Sequence, residues 1–118
     1  MEYTEGVRFD SLGLSPEIMR AIEQRHIEVS TPVQAGCIPP MMDWQDVIAK
    51  APTGTGKTFA YGIPIVEHID PEDESVQAVI LAPTRELAIQ ITDEIRMLST
   101  FKNTRFRPFR TGFRYGTA

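Results

Sequence analysis

A glycine-rich loop at residues 51–58 constrains this chain more than any other feature. The loop reads Ala51-Pro52-Thr53-Gly54-Thr55-Gly56-Lys57-Thr58. It follows the phosphate-loop pattern G-x-x-x-x-G-K-[ST], except that alanine replaces the first glycine. In that pattern backbone N–H groups bind phosphates, the lysine reaches the β- and γ-phosphates, and the threonine hydroxyl binds Mg²⁺. The alternative is a tight strand-to-helix turn with an exposed lysine, which we consider the weaker interpretation because the flanking segments match the required strand and helix.

The apolar pattern around this loop predicts an α/β fold. Residues 46–51 and 76–82 read as short buried strands, and residues 57–69 and 85–98 read as helices. Pro64 is expected to kink the first of these helices. Strand, helix, strand and helix in this order predict a right-handed βαβ unit within a parallel sheet.

Two further helices are predicted upstream of the loop. Ser15-Pro16-Glu17 combines an N-cap oxygen, a proline at the first helical position and an acid in the first turn, so a helix is expected to about residue 25. Thr31 and Gln34 have the spacing of a capping box, which predicts a second helix to about residue 38. The pair Pro39-Pro40 is expected to end it.

Composition narrows the class of protein. With 118 residues, 42% of them hydrophobic and 24% charged, the chain has the size and composition of one globular domain. It has no apolar run near the roughly 20 residues that span a bilayer, and its start is acidic rather than that of a signal peptide. One cysteine excludes an internal disulfide and a cysteine-cluster metal site. These features predict a cytoplasmic protein with no membrane association.

Two segments flanking the loop point to one family. Residues 26–34 end in Thr31-Pro32-Val33-Gln34, and an isolated Phe9 lies seventeen residues before His26. Together with the loop they resemble the Q motif and P-loop of the DEAD-box ATP-dependent RNA helicases, whose P-loop commonly begins with alanine, like Ala51. The resemblance implies ATP and Mg²⁺ as ligands, with Gln34 reading the adenine edge and Phe9 stacking on the base.

The same residues have plainer interpretations. Gln34 is also the capping-box partner of Thr31, and Phe9 is also a candidate core residue; a capping glutamine held in place can still read adenine. Two positions depart from the family pattern: His26 stands where glycine is usual, and Ser30 stands where proline is frequent. Both departures concern the geometry of the loop rather than direct contact with adenine.

A third segment lies downstream of the second predicted strand. It reads Pro83-Thr84-Arg85-Glu86-Leu87-Ala88 and matches motif Ia of the same family. The resemblance implies that residues 83–86 contact the RNA backbone without reading its sequence. The alternative is a helix cap with a solvated ion pair.

The resemblance covers about residues 9–100, which corresponds to part of the family's first RecA-like domain. We therefore interpret residues 1–100 as a partial helicase ATP-binding domain and residues 101–118 as a divergent tail. The chain does not contain the aspartate-glutamate-alanine-aspartate sequence, the serine-alanine-threonine motif or the second domain of the family. The expectation is an incomplete RecA-like P-loop domain that binds ATP and RNA without appreciable hydrolysis, and that is marginally stable because the intervening strands are missing.

The tail changes the charge of the chain. Residues 1–100 contain 16 acidic and seven basic residues, whereas residues 101–118 contain five basic residues and no acid. The tail is interpreted either as a basic arm that binds RNA or, preferably, as a frameshifted or truncated end. Two other functions stay open: a non-catalytic nucleotide- or RNA-binding module acting through this tail, and a fragment of another P-loop helicase.

Overall fold

Four α-helices form the framework of the described chain. The structure is a computed structural model, and it describes residues 6–54 and 56–102. A short 3₁₀ turn at Phe9–Ser11 is followed by helices α1 (Pro16–Gln24), α2 (Pro32–Met42), α3 (Lys57–His68) and α4 (Arg85–Leu98). The basic tail, beyond residue 102, lies outside the described residues.

Three of the four helices begin with a side-chain cap, as their sequences predict. The Ser15 hydroxyl accepts from the N–H of Ile18 at 3.3 Å, and the Thr84 hydroxyl accepts from the N–H of Leu87 at 3.2 Å. Thr31 and Gln34 form the complete capping box at the start of α2. These starts are predictable because every partner lies within three residues of the cap.

The predicted end of α2 is wrong. The helix continues through Pro39 and Pro40 to Met42. A proline removes one N–H donor but keeps its carbonyl, and both carbonyls here still accept hydrogen bonds: Asp43 donates to Pro39 and Pro40, and Gln45 donates to Pro40. Helix α3 likewise runs as one helix through Pro64.

The two predicted strands are not formed within the described residues. Neither segment 46–51 nor segment 76–82 forms a strand. Elsewhere in the described residues, an isolated antiparallel β-bridge joins Arg8 and Val29. The expected burial is also wrong, because Ile48 is 97% exposed and Leu81 is 90% exposed. A strand is completed by hydrogen bonds to a neighbouring strand, and these two segments have no such neighbour in the described part of the chain.

The core is formed by the facing sides of the helices and by the 3₁₀ turn. Helix α3 lies between α2 and α4, and α1 packs on α4. The fully buried side chains of this core include Phe9, Ile18, Ile22, Ile38, Ile63, Val66 and Leu98. No helix within residues 6–54 and 56–102 is long and apolar enough to cross a membrane.

Helices α3 and α4 run in the same direction. In the first half of α3, Gly62 lies against Ile95 and Leu98 of α4. Beyond the end of α4, the Lys102 ammonium donates to the carbonyls of Glu67 and Ile69 at the end of α3, both at 3.4 Å. The C-terminal ends are therefore adjacent, and both N-terminal ends point to the opposite side, as in consecutive helices of a parallel α/β unit.

Two side-chain contacts join elements that are far apart in the sequence. The Glu67 carboxylate of α3 accepts from the backbone N–H of Ser15 at 2.9 Å and from its hydroxyl at 2.5 Å. After α2, the Trp44 ring stacks on the His68 imidazole with 3.7 Å between centroids. His68 Nε2 lies 3.0 Å from the Met41 carbonyl, which can only accept, so this nitrogen carries the proton.

Candidate functional site

The glycine-rich loop leads directly into the first turn of α3. Gly54 has a φ of 83° and Gly56 has a φ of 79°, a region of backbone space that residues with a side chain rarely adopt. Gly56 is the N-cap of α3 and provides no side-chain oxygen to the helix. The first N–H groups of a helix have no intrahelical acceptor, so this end of α3 favours an anionic ligand.

The side chains around this helix end suit a phosphate group. Lys57 is exposed and Thr58 is half-buried, and they are the first two residues of α3. Pro52, Thr53 and Gly54 are exposed, Ala51 is half-buried, and Thr55 lies outside the described residues. A side-chain carbon added to Gly54 would meet nothing within 4 Å, so the space beside the loop is open. The first turn of α3 thus carries a lysine and a threonine directly after the open loop.

Gln34 connects this loop to the segment upstream. Its side chain is buried, with 5% exposed. Its Oε1 accepts from the backbone N–H of Thr31 at 2.8 Å, while its Nε2 donates to the carbonyl of Gly56 at 3.1 Å. The capping interpretation is therefore correct, and the same amide also reaches the loop. A side-chain carbon on Gly56 would collide with this amide, so both the backbone angle and the contact require glycine.

Phe9 occupies a different environment from the one that base stacking requires. Its ring is 1% exposed and belongs to the hydrophobic core. Its backbone N–H donates to the carbonyl of Glu28 at 3.0 Å, which holds the 3₁₀ turn beside the segment that leads to α2. The structure thus supports the core interpretation of Phe9. Stacking on a base stays a prediction, and it requires the ring to leave the core.

The two departures from the family pattern have structural explanations. His26 follows the end of α1 with a φ of 57°, in the left-handed region that favours glycine. Ser30 is buried, and its hydroxyl donates to the carbonyl of Val7 at 2.7 Å and accepts from the N–H of Val7 at 3.1 Å. The sequence pattern did not single out Ser30 as a partner of the N-terminal segment, because the two residues are 23 positions apart.

Residues 83–86 form the second part of the candidate site. Pro83, Thr84, Arg85 and Glu86 are all exposed, and Thr84 caps α4. Because α3 and α4 run in the same direction, this segment and the glycine-rich loop lie toward the same end of the helix pair. The Thr84 oxygen accepts from the N–H of Leu87, and its O–H can still donate to a ligand. The arrangement can bind two anionic groups, one at each helix N-terminus.

Known proteins are similar to this chain over most of its length. A family model described as DEAD/DEAH box helicase matches residues 31–115, which contain Gln34, the glycine-rich loop and residues 83–86. The chain is 49% identical over 104 residues to the DEAD-box ATP-dependent RNA helicase CshA of Geobacillus kaustophilus, covering 88% of this chain and 22% of that protein. It is 44% identical over 106 residues to CshA of Bacillus subtilis, covering 90% and 22%. The chain thus spans about a fifth of the length of these relatives.

Solved structures show the same likeness. A DEAD box protein from Methanococcus jannaschii matches with a TM-score of 0.73 and 40% identity, over 77% of this chain and 25% of that chain. Dbp5 of S. cerevisiae, bound to RNA and ADP BeF3, matches with a TM-score of 0.76 and 34% identity, over 80% and 25%. The predicted fold class, an incomplete RecA-like α/β domain, is confirmed by these relatives.

Proposed function

Because the chain belongs to the DEAD/DEAH box helicase family, we propose that its residues form the nucleotide-binding part, and one RNA-contacting element, of an ATP-dependent RNA helicase. The observation that carries this proposal is the N-terminus of α3. There, two glycines with positive φ precede a helix with no side-chain cap, and Lys57 and Thr58 follow at once. The proposed ligands are ATP, Mg²⁺ and the backbone of RNA.

The phosphates of ATP would lie against the loop at residues 51–58. Backbone N–H groups at the start of α3 donate to phosphate oxygens, and the Lys57 ammonium neutralises part of their charge. The residues present fit a metal as well, because the Thr58 hydroxyl is a hard oxygen ligand of the kind that Mg²⁺ prefers. When bound, Mg²⁺ would offset the negative charge on the phosphate oxygens.

The adenine base would be read by Gln34. A glutamine amide has two N–H donors and two acceptor lone pairs, and Gln34 uses one of each in its bonds to Gly56 and Thr31. One donor and one acceptor remain, which complement the acceptor N7 and the donor N6 of adenine. Guanine presents two acceptors at the same positions, so this amide favours ATP over GTP. Phe9 would add stacking on the base if its ring turned out of the core.

RNA would be contacted by residues 83–86. The N-terminus of α4 and the Thr84 hydroxyl can donate to phosphate oxygens, which holds the strand without reading its sequence. The likeness to Dbp5 bound to RNA and ADP BeF3 supports both ligands for this fold.

These 118 residues alone are proposed to bind ATP without appreciable turnover. Phosphoryl transfer depends on several groups that act together on the phosphates, the metal and the attacking water. The residues assigned above provide the phosphate and adenine contacts of that set. A cytoplasmic location is proposed for the protein.

The nucleotide site is tested by titrating the chain with a fluorescent ATP analogue and competing with ATP and GTP. Lys57→Ala should weaken ATP binding by about tenfold or more, since a charge-assisted contact is lost. Lys102→Ala is the matched control, because this lysine lies at the opposite end of α3. Equal binding by Lys57→Ala and the unmodified chain would refute the phosphate site. RNA-stimulated phosphate release that is lost in Lys57→Ala would refute the absence of turnover.

The RNA contact is tested separately by measuring the binding of single-stranded RNA at increasing salt. Binding through residues 83–86 should survive deletion of residues 101–118 and should weaken in Thr84→Ala. If deletion of residues 101–118 abolished the salt-sensitive binding instead, the alternative function of a module that acts through its basic tail would be favoured.

A further inference from the structure

We infer that Ser30 is a positioning residue for adenine recognition, acting through the orientation of Gln34. This inference rests on the proposed function, since it concerns the same nucleotide site. It starts from a set of three hydrogen bonds, called here the Val7–Ser30 clamp. The Val7 N–H donates to the Ser30 hydroxyl at 3.1 Å, and the Ser30 hydroxyl and N–H both donate to the Val7 carbonyl at 2.7 Å.

The clamp is a built feature rather than a chance surface contact. Ser30 is 3% exposed, and every hydrogen bond of the clamp joins it to Val7. Gly6 lies so close to the Ser30 carbonyl that an added side-chain carbon would collide with it. Two residues beyond Val7, the N–H of Phe9 donates to the carbonyl of Glu28. The segment 6–9 is therefore held against the segment 28–30 along its whole length.

The clamp holds Ser30, and the carbonyl of Ser30 begins the peptide unit that orients Gln34. The carbonyl of Ser30 and the N–H of Thr31 belong to one planar peptide group. That N–H donates to Gln34 Oε1 at 2.8 Å, and this bond decides which end of the amide carries the oxygen. The Nε2 end is then directed to the Gly56 carbonyl. The clamp, the peptide group and the amide thus form one chain of contacts from Val7 to the glycine-rich loop.

The consequence concerns specificity for the base rather than affinity for phosphate. If the peptide group tilts, the Gln34 amide no longer presents one fixed donor and one fixed acceptor, so the distinction between adenine and guanine weakens. The phosphate contacts arise from the N-terminus of α3 and do not include Ser30. Loss of the Ser30 hydroxyl should therefore reduce ATP affinity and leave tripolyphosphate affinity nearly unchanged.

The experiment uses the full chain in four forms: unmodified, Ser30→Ala, Ser30→Thr and Ser99→Ala. Ser99 is the matched control, because it is also buried and its hydroxyl donates to the Arg96 carbonyl within its own turn. Dissociation constants are measured for fluorescent analogues of ATP and GTP and, by competition, for inorganic tripolyphosphate. Helical circular dichroism of each form is recorded under the same conditions.

In Ser30→Ala, ATP affinity should fall by about threefold to tenfold, the range expected for lost neutral hydrogen bonds. GTP and tripolyphosphate should change by less than about twofold, and Ser99→Ala should bind like the unmodified chain. Ser30→Thr keeps the hydroxyl and should retain most of the preference for ATP.

Three results would overturn the inference. Unchanged ATP affinity in Ser30→Ala would show that the clamp does not orient Gln34. An equal loss for ATP, GTP and tripolyphosphate, with or without loss of helix, would give Ser30 a purely structural role. Equal losses in Ser30→Ala and Ser30→Thr would assign the effect to packing volume. By contrast, an unmodified chain with no preference for ATP over GTP would refute the proposed adenine site itself, and the role of Ser30 with it.

Discussion

The junction between α2 and the glycine-rich loop differs sharply from the segment at residues 76–82. At the junction, Gln34 is 5% exposed and both ends of its amide have partners. In the other segment, Val79 is 74% exposed and Leu81 is 90% exposed. Helices complete their hydrogen bonds internally and need only an apolar neighbour, whereas a strand needs a second strand at its edge. The difference teaches that this part of the chain encodes its helices fully and its sheet only in part.

The segment at 76–82 nevertheless packs partly against the core, as a strand would. Ile80 and Ala82 pack against the core, while Val79 and Leu81 are largely exposed. Val79, Ile80 and Leu81 line a groove together with Tyr61 and Ile65 of α3. Over residues 79–82 the exposure alternates with the period of two that a strand requires. The segment is thus partly covered by α3, and Val79 and Leu81 are largely exposed, whereas both faces of a parallel sheet are normally covered.

The largest effect should separate the two regions directly. Ile63→Ala removes a fully buried side chain from α3 and should lower the free energy of unfolding by about 2–5 kcal/mol. Leu81→Ala should lower it by less than about 0.5 kcal/mol, because this side chain is exposed. Urea unfolding followed by circular dichroism measures both. Similar costs for the two variants would mean that residues 76–82 are buried in solution.

A second comparison lies within the glycine-rich loop. Gly54→Ala introduces a side chain at positive φ into open space and should cost about 1–2 kcal/mol. Gly56→Ala has the same backbone strain and also displaces the Gln34 amide, so it should cost about 1 kcal/mol more. The measurement is the same unfolding titration. Equal costs would argue that the contact between Gln34 and Gly56 is not maintained in solution.

The link between α1 and α3 should contribute a smaller amount. Ser15→Ala removes the N-cap of α1 and one bond to the Glu67 carboxylate, and should cost about 1–2 kcal/mol. Ser11→Ala serves as the control, since its exposed hydroxyl donates only to the nearby Arg8 carbonyl. Thermal unfolding of both variants gives the difference. A Ser11→Ala cost as large as that of Ser15→Ala would remove the special role of this cap.

The smallest effect should be a stabilisation. His26→Gly relieves a non-glycine residue at positive φ and should raise the free energy of unfolding by about 0.5–1 kcal/mol. Arg25→Gly, at the neighbouring position with a φ of −87°, should lower it by a similar amount because glycine only adds flexibility there. Opposite signs in a thermal melt would support the assignment, and a destabilised His26→Gly would contradict it.

The features that were predictable from sequence are those with local partners. The Thr31–Gln34 capping box and the start of α4 at Thr84 depend on residues at most three positions apart. The backbone contact of Phe9 with Glu28 and the contact of Ser15 with Glu67 join residues 19 and 52 positions apart, and no periodicity reports them. The strands show the same limit: their apolar pattern is local, but their partners are not.

The stack of Trp44 on His68 has a practical consequence. Trp44 is the single tryptophan of the chain, and it lies where the ends of α2 and α3 meet. Because the indole ring contacts the His68 imidazole, its emission depends on whether that contact is kept. Intrinsic fluorescence of the unlabelled chain therefore reports on this one corner of the molecule. Separation of the two helix ends should change the emission of Trp44.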